Sequence, residues 1–304
     1  MHKRIRPVPA VVLTLVMLVI PAPPAVAQAD DAAAALRARV AADLERIADG
    51  VDGVVGYAVL DFKSGERFER RATQLFPTAS TIKIAILYEL LRQADEGRLR
   101  LDEPRPLEER HRVGGSGILV QLTRPVLSLR DLAILMMMLS DNTATNAVID
   151  AVGIDNVNRR MAELGVGSIA LRRRMMDAEA AKRGDENVAS PADLVRLLQL
   201  IDQGEGLSKA ARQTAIDIMS RPMSSALRRA LPPGLRVASK PGGLVGVAAD
   251  AGIVYLEGRP FAVAVMTTFD ADTEKAQEAI TALVRTAYSY FDRLARAGAH
   301  GRLF

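Results

Sequence analysis

The sequence predicts an α+β fold: one antiparallel sheet flanked by helices and built from both chain ends, with an all-helical lobe inserted between them. Two observations carry this reading. Strand-like apolar runs occur near the start (residues 53–61) and again in the last quarter (235–268), and the stretch between them reads as mainly helical. Strands placed that way most simply join one sheet, which leaves a cleft between the sheet and the helical lobe. With 304 residues, 49% of them apolar and 25% charged, the chain can bury a sizeable core.

The elements follow in order. Residues 1–27 read as an export segment, with Lys3, Arg4 and Arg6 before an apolar run from Ala10 to Ile20 and a small-x-small site at Ala25-Val26-Ala27. That run is shorter than the roughly 20 residues that span a bilayer, and no lipidated cysteine can follow it. A periplasmic or secreted product with no stable membrane insertion is therefore expected. Residues 31–48 form an amphipathic helix with Leu36, Val40, Leu44 and Ile47 on one face. Gly53–Asp61 is a strand, and Lys63-Ser64-Gly65 turns into a second one.

Phe76-Pro77-Thr78-Ala79 leads into a very apolar helix over Ser80–Arg92, followed by a polar loop over Asp95–Pro106. Ser128 to Asp131 is a capping box opening a helix that ends at Leu139, with Met136, Met137 and Met138 as core filler. Ser190-Pro191-Ala192-Asp193 repeats the signature, with proline at the first helical position. Leu235–Lys240, Gly252–Leu256 and Phe261–Thr268 are strands, the last two joined by a Gly-Arg-Pro turn, and Thr273–Arg296 is a long amphipathic helix lying on the sheet. The mature unit, 28–304, thus divides into a sheet lobe (31–76 and 205–298) and a helical lobe (77–204).

Charge and rare residues exclude several functions. The chain carries +4, three of its basic residues lie in the export segment with no acid beside them, and the remainder is +1, which gives no footprint for nucleic acid. Absence of cysteine removes disulfide scaffolds, zinc ribbons and thiol nucleophiles. Of three histidines, His2 and His300 lie in the export segment and the C-terminal tail, leaving His111 alone. One histidine cannot build the usual zinc site, and without a G-x-S-x-G elbow a Ser-His-Asp hydrolase is a poor fit. No metal or organic cofactor is implied.

Three short patterns lie at the edges of the expected cleft. Ser80-Thr81-Ile82-Lys83 opens the buried helix, where a three-residue step puts both side chains on one face and the helix N-terminus offers N–H groups to a developing oxyanion. By itself an S-x-x-K is weak. Ser140-Asp141-Asn142 sits at a tight junction between helices and could simply stop one and restart the next, since all three residue types cap well. Lys240-Pro241-Gly242 ends a strand and alone is a turn signal. Together they supply a serine, a lysine and a second serine, a proton-relay set that needs no histidine.

In this order the motifs resemble those of class A serine β-lactamases and penicillin-binding proteins. The stretches Gly56–Asp61, Phe76–Thr81, Gly115–Leu119 and Ser140–Asn146 are also similar to that family, and the resemblance covers essentially the whole mature chain. It implies that residues 28–304 are a catalytic domain acting on a small-molecule β-lactam or a peptidoglycan-like substrate, as a monomer. Ser80 would be the acylated nucleophile and Lys83 its proton acceptor, with Ser140 passing a proton to the leaving nitrogen, supported by Lys240. Asn142 would bind the substrate amide, and the 242–243 glycines would line the site, with the Gly243 and Ser80 N–H groups as oxyanion hole. Lys83 and Lys240 would depress each other's pKa.

The sequence departs from the family twice. Pro241 stands where the family has a hydroxyl residue that helps hold the substrate carboxylate, which leaves Arg236, on the same strand face by period two, as a substitute. The family's water-activating glutamate falls, in an ungapped match back from Ser190-Pro191, on Arg174. Asp177 or Glu179 could replace it, or could pair with the adjacent arginines. Turnover of a β-lactam, action on esters or peptidoglycan peptides, and acylation without turnover all stay open.

Overall fold

The computed structural model describes residues 24–298 and 301–303. The export reading therefore lies outside the described residues up to residue 23, as do His2 and His300. In chain order the strands are β1 (Val54–Asp61), β2 (Arg67–Arg70), β3 (Phe76–Pro77), β4 (Pro104–Pro106), β5 (Val126–Ser128), β6 (Val188–Ala189), β7 (Val237–Leu244), β8 (Val247–Val254) and β9 (Phe261–Thr268). The helices are α1 (Pro24–Asp49), α2 (Lys83–Asp95), α3 (Leu129–Met138), α4 (Asn142–Val152), α5 (Ile154–Glu163), α6 (Ala178–Lys182), α7 (Pro191–Gln203), α8 (Lys209–Ser220), α9 (Ala226–Arg229) and α10 (Thr273–Arg296). None of the described helices is long and apolar enough to cross a membrane.

The main sheet runs β2-β1-β9-β8-β7 and is antiparallel throughout, so the N-terminal hairpin joins the three C-terminal strands as expected. Period-two alternation gives the sheet two apolar faces. Val55, Tyr57, Val59, Val263 and Val265 face α1, α9 and α10, where Ile280, Leu283, Val284, Ala287 and Phe291 recur at helical spacing. Ala58, Leu60, Ala251, Ile253, Ala264 and Met266 face the helical layer of α2, α3, α4, α5, α7 and α8. Ser128 and Ser190 cap α3 and α7 by accepting from the Asp131 and Asp193 N–H groups.

Three local expectations are corrected. The helix expected from Ser80 begins as a 3-10 turn, Ala79–Ile82, and becomes α-helical only at Lys83. Part of the loop expected over Asp95–Pro106 pairs instead, β4 with β5. Most important here, β7 does not stop at Lys240 but continues through Pro241, Gly242 and Gly243 to Leu244, and β8 starts five residues earlier than expected. Proline survives because β7 is an edge strand. Gly242 is required because β7 passes the Ala79–Ile82 turn so closely that a Cβ there would stand 2.7 Å from Ser80 N and 2.8 Å from Thr78 O.

Candidate active site

Helix α2 is buried almost all round, so its entrance lies inside the molecule, where the sheet meets the helical layer. Ser80 and Lys83 sit at that entrance, the α3–α4 junction brings Ser140 beside them, and β7 brings Lys240. Ala79 (φ 45°) and Ser140 (φ 53°) both adopt left-handed backbone, a conformation costing a non-glycine residue roughly 1–3 kcal/mol, and both lie at a hydroxyl of the cluster.

The hydroxyls and ammonium are connected. Lys83 Nζ donates to Ser140 O (2.9 Å), Ser140 Oγ (3.0 Å) and Asn142 Oδ1 (3.0 Å), and Ser140 Oγ donates to Ser80 Oγ (2.9 Å). Asn142 Nδ2 donates to Gly114 O at 3.0 Å. Asp141, whose role the sequence did not suggest beyond capping, accepts from Ile118 N (2.7 Å), Leu119 N (2.9 Å) and Ala144 N (2.8 Å), which ties the glycine-rich 114–117 turn to α4.

Both lysines are fully buried. Lys83 is held well below the usual lysine range by burial first and by the Lys240 charge second, with Asp141 opposing. Lys240, whose Nζ donates to Pro241 O at 2.9 Å, is lowered to about 7 by burial, with Asp250 opposing. Burial thus outweighs the mutual repulsion expected from the sequence. Asp250 is itself buried and is pushed up to about 6 by desolvation, against its bonds to Leu227 N and Ser225 and the charges of Lys240 and Arg228.

Ser80 stands between two hollows. One, about 380 Å³, runs over Lys240, Gly242 and Gly243 toward Ser225, Arg229 and Gln277. The other, about 440 Å³, lies between the 173–187 segment and the tip of the β7–β8 hairpin, with Met175, Met176, Leu244 and Val245 in its wall. Gly243 and Ser116 border both.

The remaining candidates go elsewhere. Asp177 reaches the edge of the second hollow, but its carboxylate caps α6 by accepting from Ala180 N at 2.9 Å. Glu179 pairs with Lys182 at 3.0 Å on the exposed side of α6. Neither joins the adjacent arginines, because Arg173 binds Glu186 (2.7 Å) and Arg174 binds Asp150 (2.5 Å). The residue lining the hollow is not Arg174 but Met175, fixed by Asn146 Oδ1 accepting from Met175 N at 2.8 Å. Arg236 precedes β7, binds Asp217 at 3.0 Å and lies over the Tyr255 ring, away from both hollows.

A sheet carrying one edge strand against the entrance of a buried helix, with a Ser–Ser–Lys cluster at the crossing, defines a hydrolase of the serine β-lactamase type. Residues 39–291 match the beta-lactamase enzyme family, and the chain belongs to that family. It is 26% identical to beta-lactamase PSE-4 of Pseudomonas aeruginosa over 260 residues, covering 84% of this chain and 90% of that one. Among solved structures it is similar to a beta-lactamase from Sphaerobacter thermophilus (TM-score 0.76, 31% identity, 82% of this chain and 95% of the other). It is also similar to a leucine-to-glutamate mutant of PBP-A in an acyl-enzyme complex with penicillin G (TM-score 0.78, 28% identity, 84% and 96%).

Proposed function

We propose that the protein is an exported, monomeric serine hydrolase that opens a β-lactam ring through an acyl-enzyme on Ser80. The observation that carries this reading is the chain of hydrogen bonds from Lys83 through Ser140 to Ser80. With Lys83 in its neutral form, favoured by burial, both hydroxyl protons can turn toward it: Ser80 O–H to Ser140 Oγ, and Ser140 O–H to Lys83 Nζ. Ser80 Oγ then bonds to the lactam carbonyl carbon, its proton passes along the pair to Lys83, and the carbonyl becomes an oxyanion facing the Ser80 and Gly243 N–H groups. Collapse breaks the C–N bond, and the nitrogen takes a proton back through Ser140, next to the Lys240 ammonium. Water then cleaves the ester. Similarity to enzymes named beta-lactamases and to an acyl-enzyme complex with penicillin G supports this reading. Export rests on the basic, apolar and small-residue pattern of residues 1–27.

A second reading, acylation with slow release, is favoured by the loop wall. Met175 lines the hollow where a water-activating carboxylate would serve, Asp177 is engaged as a cap, and Glu179 faces away. The test is intact mass of the mature protein mixed with a chromogenic cephalosporin, run with hydrolysis rates and Ser80→Ala. Serine-dependent hydrolysis is the expected result. A lasting adduct without turnover supports the second reading, and neither adduct nor hydrolysis overturns both.

A further inference from the structure

We propose that the hollow between the β4–β5 pair and α4 is a second binding site, one that takes a neutral apolar molecule carrying a hydroxyl donor. The inference goes beyond the acyl-transfer reading and does not depend on it. The hollow holds about 370 Å³, within the range of small-molecule sites, and none of its lining residues borders either hollow beside Ser80. Its apolar lining is Leu107, Leu127, Leu129, Leu132, Ala147 and Ala151, supplied by the segment after β4 and by β5, α3 and α4.

What turns this hollow into a site is His111, the histidine that the catalytic cluster leaves unused. It ends the 3-10 turn Glu109–His111, lines the hollow and is 5% exposed. Its Nε2 lies 3.3 Å from Asp150 Oδ2, with Arg110 Nε at a longer 3.5 Å. A carboxylate only accepts, so the ring proton is assigned to Nε2 and Nδ1 keeps a lone pair. That nitrogen is buried and meets no hydrogen-bond partner among the described residues. Roughly nine in ten buried polar groups are paired. A buried acceptor in the wall of a largely apolar hollow therefore calls for a donor on whatever fills it.

Charge decides the rest. Arg110 is spent on Glu108 (3.1 Å) and Asp150 (2.6 Å), and Arg105 faces Glu103 at 3.8 Å. Asp150 also takes Arg174 at 2.5 Å. The charged side chains at the rim thus neutralise one another, and a charged occupant would have to break a pair on entry. A neutral molecule meets no such cost. The leucines and alanines reward an apolar body, and His111 Nδ1 fixes the place of one hydroxyl. The ligand class is then a phenol or a comparable apolar alcohol.

The probe is 2-naphthol. It is compared with its methyl ether, which keeps the apolar body but cannot donate, and with 2-naphthoate, which adds a charge. Binding is followed at about pH 8, above the ordinary imidazole range, by calorimetric titration and by imidazole ¹⁵N NMR. In the 28–304 chain only His111 and His300 carry imidazoles, so His300→Gln assigns the signals. 2-Naphthol is expected to shift the His111 Nδ1 resonance and to bind about three- to tenfold tighter than the ether, with naphthoate weakest. Ala151→Phe, which fills the hollow, should abolish binding while unfolding stays cooperative. Should that variant fail to fold, the ¹⁵N shift in the wild type still decides. Equal affinity for naphthol and ether, tightest binding of naphthoate, an unmoved His111 resonance, or binding that persists in folded Ala151→Phe would each overturn the proposal. None of these outcomes bears on Ser80, whose acylation is read separately.

Discussion

Ser80 has two neighbouring walls, and they spend their polar groups differently. On the side of α2 and the α3–α4 junction, the polar side chains converge on Ser80: Lys83 donates three bonds inward, and Ser140 hands one on to Ser80. On the 171–187 side, polar groups are used to hold the segment's own shape. Asn187 Oδ1 accepts from Arg172 N and Arg173 N, Glu186 takes Arg173, Asp177 caps α6, and Asp150 pulls Arg174 outward. What this segment presents to the cleft is mainly thioether and methyl surface. On the proposed mechanism, the wall that makes the ester carries aligned proton-transfer groups, and the wall that faces its hydrolysis carries none in that arrangement.

Four changes would break or sharpen that contrast. Lys83→Met should cut the rate of Ser80 acylation by roughly 10²- to 10⁴-fold, the usual contribution of a positioned base, in stopped intact-mass time courses; a loss below tenfold would remove lysine from the relay. Met175→Glu puts a carboxylate on the loop wall and should shorten the lifetime of the Ser80 adduct by about 10²-fold or more, followed as decay of adduct mass after excess drug is removed. An unchanged lifetime would mean that the loop does not limit release.

The third change concerns pH. Acylation should rise as pH climbs through the depressed pKa of Lys83, because the neutral amine is the acceptor. Removing the neighbouring charge with Lys240→Met should raise that pKa and move the ascending limb to higher pH, whatever happens to the maximum rate. A limb that stays in place would show that Lys240 is not felt at Lys83. The smallest effect is expected from Asp177→Ala, which loses a helix cap worth about 0.5–2 kcal/mol, read as a lower thermal midpoint with the adduct lifetime unaltered. A longer-lived adduct would instead assign Asp177 to water activation.

What could be read from the sequence was what local chemistry specifies. The bounds of α10 and the caps at Ser128 and Ser190 follow from periodicity and side-chain oxygens three residues from their partners. The meeting of Ser80, Lys83, Ser140 and Lys240 was legible because three spaced motifs share one chemistry. The continuation of β7 was not, since Pro-Gly-Gly reads as a turn; it stays a strand through its register with β8, Pro241 opposite Asp250 and Gly242 opposite Ala249. The ungapped match points to Arg174, whereas Met175 lines the hollow, because its backbone N–H donates to Asn146 Oδ1, 29 residues away. The place of Arg229 on the wall of the first hollow had no local signal, since α9 is a single turn placed by Asp250 and Thr281 from distant segments.

The pairing of β1 with β9 sets Val54 opposite Thr268, closing a loop of more than two hundred residues. Loop-closure entropy grows only as the logarithm of length, so this topology costs little at equilibrium, but contacts so distant in sequence form slowly. A chain delivered N-terminus first exposes β1, apolar on both faces, with its central partner still unmade. Lys240 and Gly242, which line the cavity around Ser80, also lie late in the sequence, so that cavity is complete only once β7 is in place. In refolding, labelling of Ser80 by a penicillin should therefore lag behind helix formation and keep step with completion of the sheet, and on the proposed mechanism the nascent polypeptide carries a nucleophile that is not yet armed.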